Sequence, residues 1–330
     1  MTRAICRRQV LSMPLALFTI FALGSKNVFA DDYPNRPIHL LVGGAAGSVP
    51  DTLARLVADR LSATLGQPVV TEDRPGAAGM IAISALLAAA RDGYTLALAT
   101  MSQAVFNRYL FSKLPYDPLR DLEPIAPLAS GAMAIAANPA FPANGFAEFI
   151  AFAKARPGAV LVGTPAVGSP PNVFAHLLAR AAEIEVKLVP YVSGPEGITG
   201  VIRGDVQIFV DAPTIIAPQV KTGSLKALVV TGRARDEQLP GVPTIAEAGL
   251  PAAQAEAWIG LVAASGTPNS VVTRLNRELG AALAEPEIRR KLAVISFTPM
   301  SGSPEDFRKL IADDHARWRP VIEQASIHLD

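Results

Sequence analysis

The chain has 330 residues, half of them hydrophobic, with 6% aromatic residues and a formal net charge of +1. A chain of this size and apolar share builds a large core and is no disordered tail, and its near-neutral charge gives nucleic acid no basic footprint. Few aromatic side chains among abundant Ala, Gly and Pro suit an α/β protein with small residues at tight helix–sheet contacts.

In chain order the first feature is an export signal, residues 1–30. Arg3, Arg7 and Arg8 precede an apolar stretch at 10–23, and "VFA" at 28–30 leads into "DDYP", which gives the three regions of a secretory signal with cleavage after Ala30. A membrane anchor is the competing reading. The apolar stretch is shorter than the roughly 20 residues a spanning helix needs, and Pro14 interrupts it. "RRQVL" suits the twin-arginine route, and paired arginines suit the Sec route equally, so the route stays open while both lead to the periplasm. Removal of the segment takes Arg3, Arg7, Arg8 and Lys26 but no acid, so +1 becomes −3. Cys6, the one cysteine, leaves with it, which excludes disulfides, thiolate catalysis and Cys-ligated metals from the mature chain.

The mature chain opens with "IHLLV" (38–42), "PVVTE" (68–72) and "YTLALAT" (94–100), three strands separated by helical segments. Leu53, Leu56, Val57, Leu61 and Leu65 recur at helical spacing and Gly66 follows as a C-cap, so the start is a parallel β-α-β-α-β unit. Between the first strand and this helix, "GGAAGS" bends the chain. Glycines there let the backbone approach a ligand closely, and the helix start presents unpaired N–H groups that suit an anion. The nucleotide patterns fail: the spacing is not G-x-G-x-x-G, and no Lys follows as a P-loop requires. A plain capping box is the simpler reading, with Ser48 accepting from the Asp51 amide and the carboxylate reaching back, and both readings hold together.

After the Pro-punctuated connection "LPYDPLRDLEPIAPLASG" a second series follows: "AMAIAA" (132–137), "AVLVGT" (159–164), "VKLVPY" (186–191), "VQIFVD" (206–211) and "LKALVVT" (225–231). "WIGLVAA" (258–264) adds one more strand, and two amphipathic helices run toward the C-terminus. No fixed-period repeat emerges. The order predicts two doubly wound, mostly parallel sheets with helices on both faces, and ligands of such sheets sit beyond the C-terminal strand ends.

The stretch "YPNRPIHLLVGGAAGSVPDTLARLVADRLSATLGQPVVTEDRPGAAGMI" resembles the start of the tripartite tricarboxylate transporter substrate-binding proteins, the Bug receptor family. "DGYTLALAT", "LVPY", "LKALVVTG", "GVPTIAEAGL", "WIGLVAASGTP" and "ARWRPVIEQASI" continue the resemblance in order over essentially the whole mature chain. It implies a type II-like, two-lobed periplasmic binding protein, monomeric, with residues 31–125 plus 257–330 as lobe 1, residues 126–256 as lobe 2 and the ligand cleft between them. It also implies a small organic acid or amino acid as ligand, integral membrane permease subunits as partners, and no cofactor or metal.

Carried over by the matching motifs, the ligand loops are Ala45, Ala46, Gly47 and Ser48; Ala77, Ala78 and Gly79; Thr100, Ser102 and Gln103; Gly168, Ser169 and Asn172; and Tyr191, Ser193 and Gly194. Asp211 ends the strand that faces the cleft in relatives. It reads either as the N-cap before "APTI" or as the partner of a ligand ammonium. Thr100, Ser102 and Gln103 suit turn and capping duty as well as ligand contact, and Arg74 reads as a surface or ion-pair residue. The sequence departs from the family pattern in the first loop, where Ala46 and Ser48 replace Pro and Gly, at Asp73, Ala78 and Asn172, and at Val192 to Gly194 after "VPY". A shifted ligand, or sensing in place of transport, fits these changes.

An enzyme is the contrasting class. His39, His176, His315 and His328 share no local motif with a nucleophile, and neither G-x-S-x-G nor H-E-x-x-H occurs. A secreted hydrolase built from Ser169, Asp211 and His176 is the one arrangement left in that class.

Overall fold

The computed structural model describes residues 33–329, so the expected signal segment and its cleavage site lie outside the described residues. Eleven strands among them form two sheets: β1 (Ile38–Val42), β2 (Val69–Asp73), β3 (Thr95–Thr100), β4 (Leu122–Ala132), β5 (Ala134–Ala137), β6 (Val160–Thr164), β7 (Val186–Pro190), β8 (Ile208–Asp211), β9 (Lys226–Val230), β10 (Glu256–Ala264) and β11 (Phe297–Pro299). The first sheet has the order β11-β4-β10-β3-β1-β2 and the second β7-β6-β8-β5-β9. β1 pairs in parallel with β2 and β3, and β6 with β7 and β8. β10 and β5 run against both of their neighbours, so most strands in each sheet point one way around one reversed inner strand.

Both faces of the second sheet are covered. Ile135, Ala137, Ile208 and Val210 pack into one apolar cluster, whereas Ala134, Ala136, Phe209 and Val230 pack into another, as the period-two alternation of a strand buried on both sides requires. The helix Gly194–Arg203 lies so close to this sheet that a Cβ on Gly197 would overlap the Phe209 ring. In the first half, the helix Val49–Leu65 buries Leu53, Val57, Leu61 and Leu65 and ends on Gly66 at φ 69°, which matches the expected apolar stripe and C-cap. Among the described residues, no helix is long and apolar enough to cross a membrane.

Two elements differ from expectation. The proline-rich connection before the second series is a strand, β4, and it belongs to the first sheet along its whole length. Pro124 and Pro127 fit because the ladder with β10 slips beside each of them, and because β11 pairs only with residues 129–131, which leaves their side of β4 as an edge. The bulged residues Ile125 and Leu128 find partners outside the ladder: their carbonyls accept from Asn276 Nδ2 (2.8 Å) and the Met300 amide (2.9 Å). The C-terminal part holds three helices, Asn269–Ala284, Pro286–Val294 and Pro304–Ala325, and the short strand β11.

The chain passes from the first sheet to the second at Met133 and returns between β9 and β10. Thr231, fully buried, joins the two passages. Its amide donates to Met133 O (2.8 Å) and its hydroxyl to Ala255 O (2.6 Å), while the hydroxyl accepts from the Met133 amide (2.8 Å) and its carbonyl from the Ala255 amide (3.0 Å). Thr231→Val keeps the shape but strands a buried amide and a buried carbonyl, and its expected cost is about 2–3 kcal/mol in urea unfolding. Thr231→Ser, which keeps the hydroxyl and loses one methyl, is expected to cost about 1 kcal/mol.

Candidate functional site

A cavity of about 530 Å³ lies between the two sheets, walled by the loops that follow β1, β2 and β3 on one side and β6 and β8 on the other. The bend after β1 is built by close approach. A Cβ on Gly43 would sit 2.8 Å from the Gly79 Cα, and one on Gly44 2.5 Å from Ser48 Oγ, so both positions require glycine. Gly47 takes φ +78° but faces open space. Ser48 caps the helix by accepting from the Asp51 amide at 3.5 Å.

The reciprocal half of the expected capping box is displaced by one residue. The Asp51 carboxylate accepts from the Gly47 amide (2.7 Å), because the Ser48 amide already donates to Ala45 O (3.0 Å). Burial pushes the Asp51 carboxyl up, yet the Gly47 amide and the Arg55 guanidinium together outweigh it and hold the group below its usual range. Arg55 bridges Asp51 (2.8 Å) and Asp73 (3.1 Å), which fixes the helix start to the end of β2. The cation nearest in sequence to the bend is thereby committed to structure.

The loop after β2 carries four consecutive residues at positive φ, Gly76, Ala77, Ala78 and Gly79. The two alanines hold a conformation that costs non-glycine residues on the order of 1–2 kcal/mol each, and the surroundings hold them there. Gln103 Nε2 (3.0 Å) and Asn107 Nδ2 (3.2 Å) both donate to the Ala78 carbonyl. Gln103 Oε1 meanwhile accepts from the Thr100 amide (2.8 Å) and hydroxyl (2.5 Å). Gln103 is thus a strut between the loops after β2 and β3. The following segment Ser102–Phe106 forms a π-helical turn, and Ser102 Oγ crosses the cavity edge to donate to Gly168 O (3.2 Å).

On the other side, Asn172 is buried and does not line the cavity. Its Oδ1 accepts from the Gly168 amide (3.1 Å) and its Nδ2 donates to Thr164 Oγ1 (3.0 Å), which sets the shape of the loop that does line it. Ser169 precedes the helix Pro170–Ala182 without capping it, and its buried Oγ has no hydrogen-bond partner. Asp211 is 8% exposed and lines the cavity. Its Oδ1 accepts from the Ala212 amide (2.7 Å), and the N-cap of the next helix is Ala212, so the capping role read for Asp211 is not taken up. Burial pushes its carboxyl up to about 6, against a smaller downward pull from the Ala212 amide.

Of the residues singled out in the sequence, Ser48, Ala78, Gly79, Thr100, Ser102, Gln103, Gly168, Ser169 and Asp211 meet on the cavity wall. Ala45, Ala46 and Gly47 form the exposed outer rim of the bend, and Ala77 is exposed and does not line the cavity. Tyr191 packs its ring edge-on against Phe209, Ser193 caps the helix Gly194–Arg203, and a Cβ on Gly194 would lie 2.5 Å from Asp211 Oδ2. Sequence reasoning missed the apolar wall: Leu98, Met133, Trp258, Ile259 and Phe297. Trp258 is held by its Nε1 donating to the buried Asp314 (2.6 Å), which also accepts from Trp318 (3.1 Å).

Among the described residues, Asp211 is the one charged residue on the wall, and no Lys, Arg or His joins it. Two helices, Val49–Leu65 and Pro170–Ala182, begin on the cavity wall, where Val49 and Pro50 line one side and Pro170 and Pro171 the other. Ser169, Asp211 and His176 share no hydrogen bond, and no group of His, Cys, Asp and Glu that could hold a metal exists among the described residues.

Two α/β sheets of matching strand order around a ligand-sized cavity, walled by strand-end loops and helix starts, define a two-lobed periplasmic binding protein. The profile of the tripartite tricarboxylate transporter family receptor matches residues 53–327, and the chain belongs to that family. BugT of Bordetella pertussis is 31% identical over 303 residues, covering 92% of this chain and 93% of that protein. Among solved structures, R. palustris Rpa4515 with adipate is 32% identical at a TM-score of 0.79, over 90% of this chain and 100% of that one. MatC (Rpa3494) from Rhodopseudomonas palustris with bound malate is 30% identical at 0.75, over 88% and 100%.

The raised Asp211 carboxyl makes a stability prediction. The folded state holds this proton more tightly than the unfolded chain, so stability falls as pH rises from about 4 to about 6 and stays reduced above that. Asp211→Asn is therefore expected to gain about 1–3 kcal/mol near pH 7.5 and nothing near pH 3, read from urea unfolding at the two pH values.

Proposed function

We propose that this protein is an extracytoplasmic receptor that captures a small organic carboxylate or amino acid between its lobes and delivers it to the membrane permease of a tripartite tricarboxylate transporter. The lobes divide at Met133 and along residues 231–255, where the chain passes between the sheets. One observation carries the reading: a glycine bend and two helix starts converge on a cavity whose wall, among the described residues, has no cationic side chain. Backbone N–H groups and the helix ends then supply the attraction for an anion. The relatives crystallised with adipate and with malate support a carboxylate as the ligand class.

In this reading the hydroxyls of Ser48 and Ser169 present donors to the ligand, while Gln103 and Asn172 hold the loops around them. The protein is a receptor and no enzyme, exported to the periplasm as a monomer. A panel of mono-, di- and tricarboxylates and amino acids, screened by thermal shift, is expected to contain a stabiliser that is recovered chemically unchanged. At a ligand concentration a hundredfold above Kd the stabilisation is about 2.7 kcal/mol. Progressive loss of the compound at catalytic protein concentrations overturns the receptor reading in favour of an enzyme.

Gly79 and Gly47, both at positive φ, separate the architecture of the site from its rim. Gly79→Ala drives a Cβ into the Gln103 carboxamide and displaces the strut, so binding measured by calorimetry is expected to weaken by about tenfold or more. Gly47→Ala meets only open space and carries only the conformational cost of its positive φ, about 1 kcal/mol of stability, with little change in Kd.

A further inference from the structure

We infer that the cavity takes a ligand whose only negative charge is one carboxylate on an apolar body, and that Asp211 is the residue that turns a second carboxylate away. This rests on the reading of the cavity as a carboxylate site.

Asp211 projects from the end of β8 into the cavity. Its Oδ1 is used by the Ala212 amide, whereas Oδ2 has no donor and stands beside the bare Cα of Gly194. The elements packed around it offer no compensating charge. β5 presents Ala134, and the helices Gly194–Arg203 and Pro213–Lys221 present Gly194 and Ile215. Glu196 has the same sign and accepts from the Val192 amide, and Arg203 and Lys221 stand in the last turns of their helices, at the far ends from Asp211.

The remaining wall is neutral, and Leu98, Met133, Val167, Trp258 and Phe297 make much of it apolar. The two helix starts are the positive features of the wall, and both are weakened, one by the Asp51 carboxylate in its first turn and the other by Pro170 and Pro171, which carry no N–H, so together they balance no more than about one carboxylate. A second carboxylate meets an ionised Asp211 in a space of low dielectric with nothing to neutralise either, and like charges so placed repel strongly. Burial pushes Asp211 only to about 6, which leaves it mostly ionised at neutral pH.

The test uses the mature chain and matched acids that differ by one carboxylate, hexanoate against adipate and benzoate against terephthalate, in calorimetry near pH 7.5. The monocarboxylate of at least one pair is expected to bind about tenfold or more tighter than its partner. Asp211→Asn and Asp211→Ser, checked for folding by circular dichroism, are expected to close that gap, the dicarboxylate gaining about tenfold or more relative to the monocarboxylate. A dicarboxylate that binds the wild type as tightly as its monocarboxylate, or a gap that survives in both variants, overturns this inference and leaves the carboxylate reading standing. The same holds if neither pair binds while other acids of the wider panel do. If no acid binds at all, both readings fall.

Discussion

The hydrogen bonds around Thr231 are the constraint on which the rest of the molecule turns. Each wall of the cavity is carried by a different sheet, and the sheets are joined covalently only where the chain passes at Met133 and again along residues 231–255. Thr231 ties these passages into a single strap through backbone and hydroxyl together. Segments joined in this way resist sliding past one another, since any shear breaks the bonds of a fully buried residue. The Ser102–Gly168 bond at the cavity edge also links the two halves.

The electrostatics of the site are those of backbone. Arg55 is held between Asp51 and Asp73, and Arg74 pairs with Glu72, so the arginines near the bend brace the scaffold. In the proposed reading, the two helix starts and the hydroxyls of Ser48 and Ser169 remain to meet an anion. Such a site recognises the carboxylate group and leaves the body of the ligand to the apolar wall. The strained residues Ala77 and Ala78 fit this scheme, since their left-handed turn is what brings the second loop up to the first, and Gln103 holds it there.

Local chemistry was legible where it is written in one stretch. The helix cap at Ser48, the stop at Gly66 and the β-α-β-α-β opening follow from neighbouring residues and reappear as read. Long-range chemistry was not. β4 was hidden because prolines normally exclude a strand, and only the slipped ladder, Asn276 and Met300, remote in sequence, make Pro124 and Pro127 tolerable there. The capping box was read one amide out, since nothing in "GSVPD" reveals that Ala45 has already taken the Ser48 amide. The apolar wall was invisible for a related reason. Leu98, Met133, Trp258 and Phe297 come from four distant segments, and each is an ordinary core residue in its own stretch.

Strand order has a consequence for how this chain is made. In the first sheet β10 separates β3 from β4, and it is the tenth strand to leave the ribosome. β3 and β4 pair with each other nowhere; both pair with β10. Until Ala264 has been synthesised, the N-terminal half therefore carries two open inner edges, and a chain stopped after β4 has no complete sheet to fold into. The second sheet, whose strands β5 to β9 are contiguous in sequence, has no such wait. A nascent chain of this design has all strands of its middle sheet in hand before those of its first sheet.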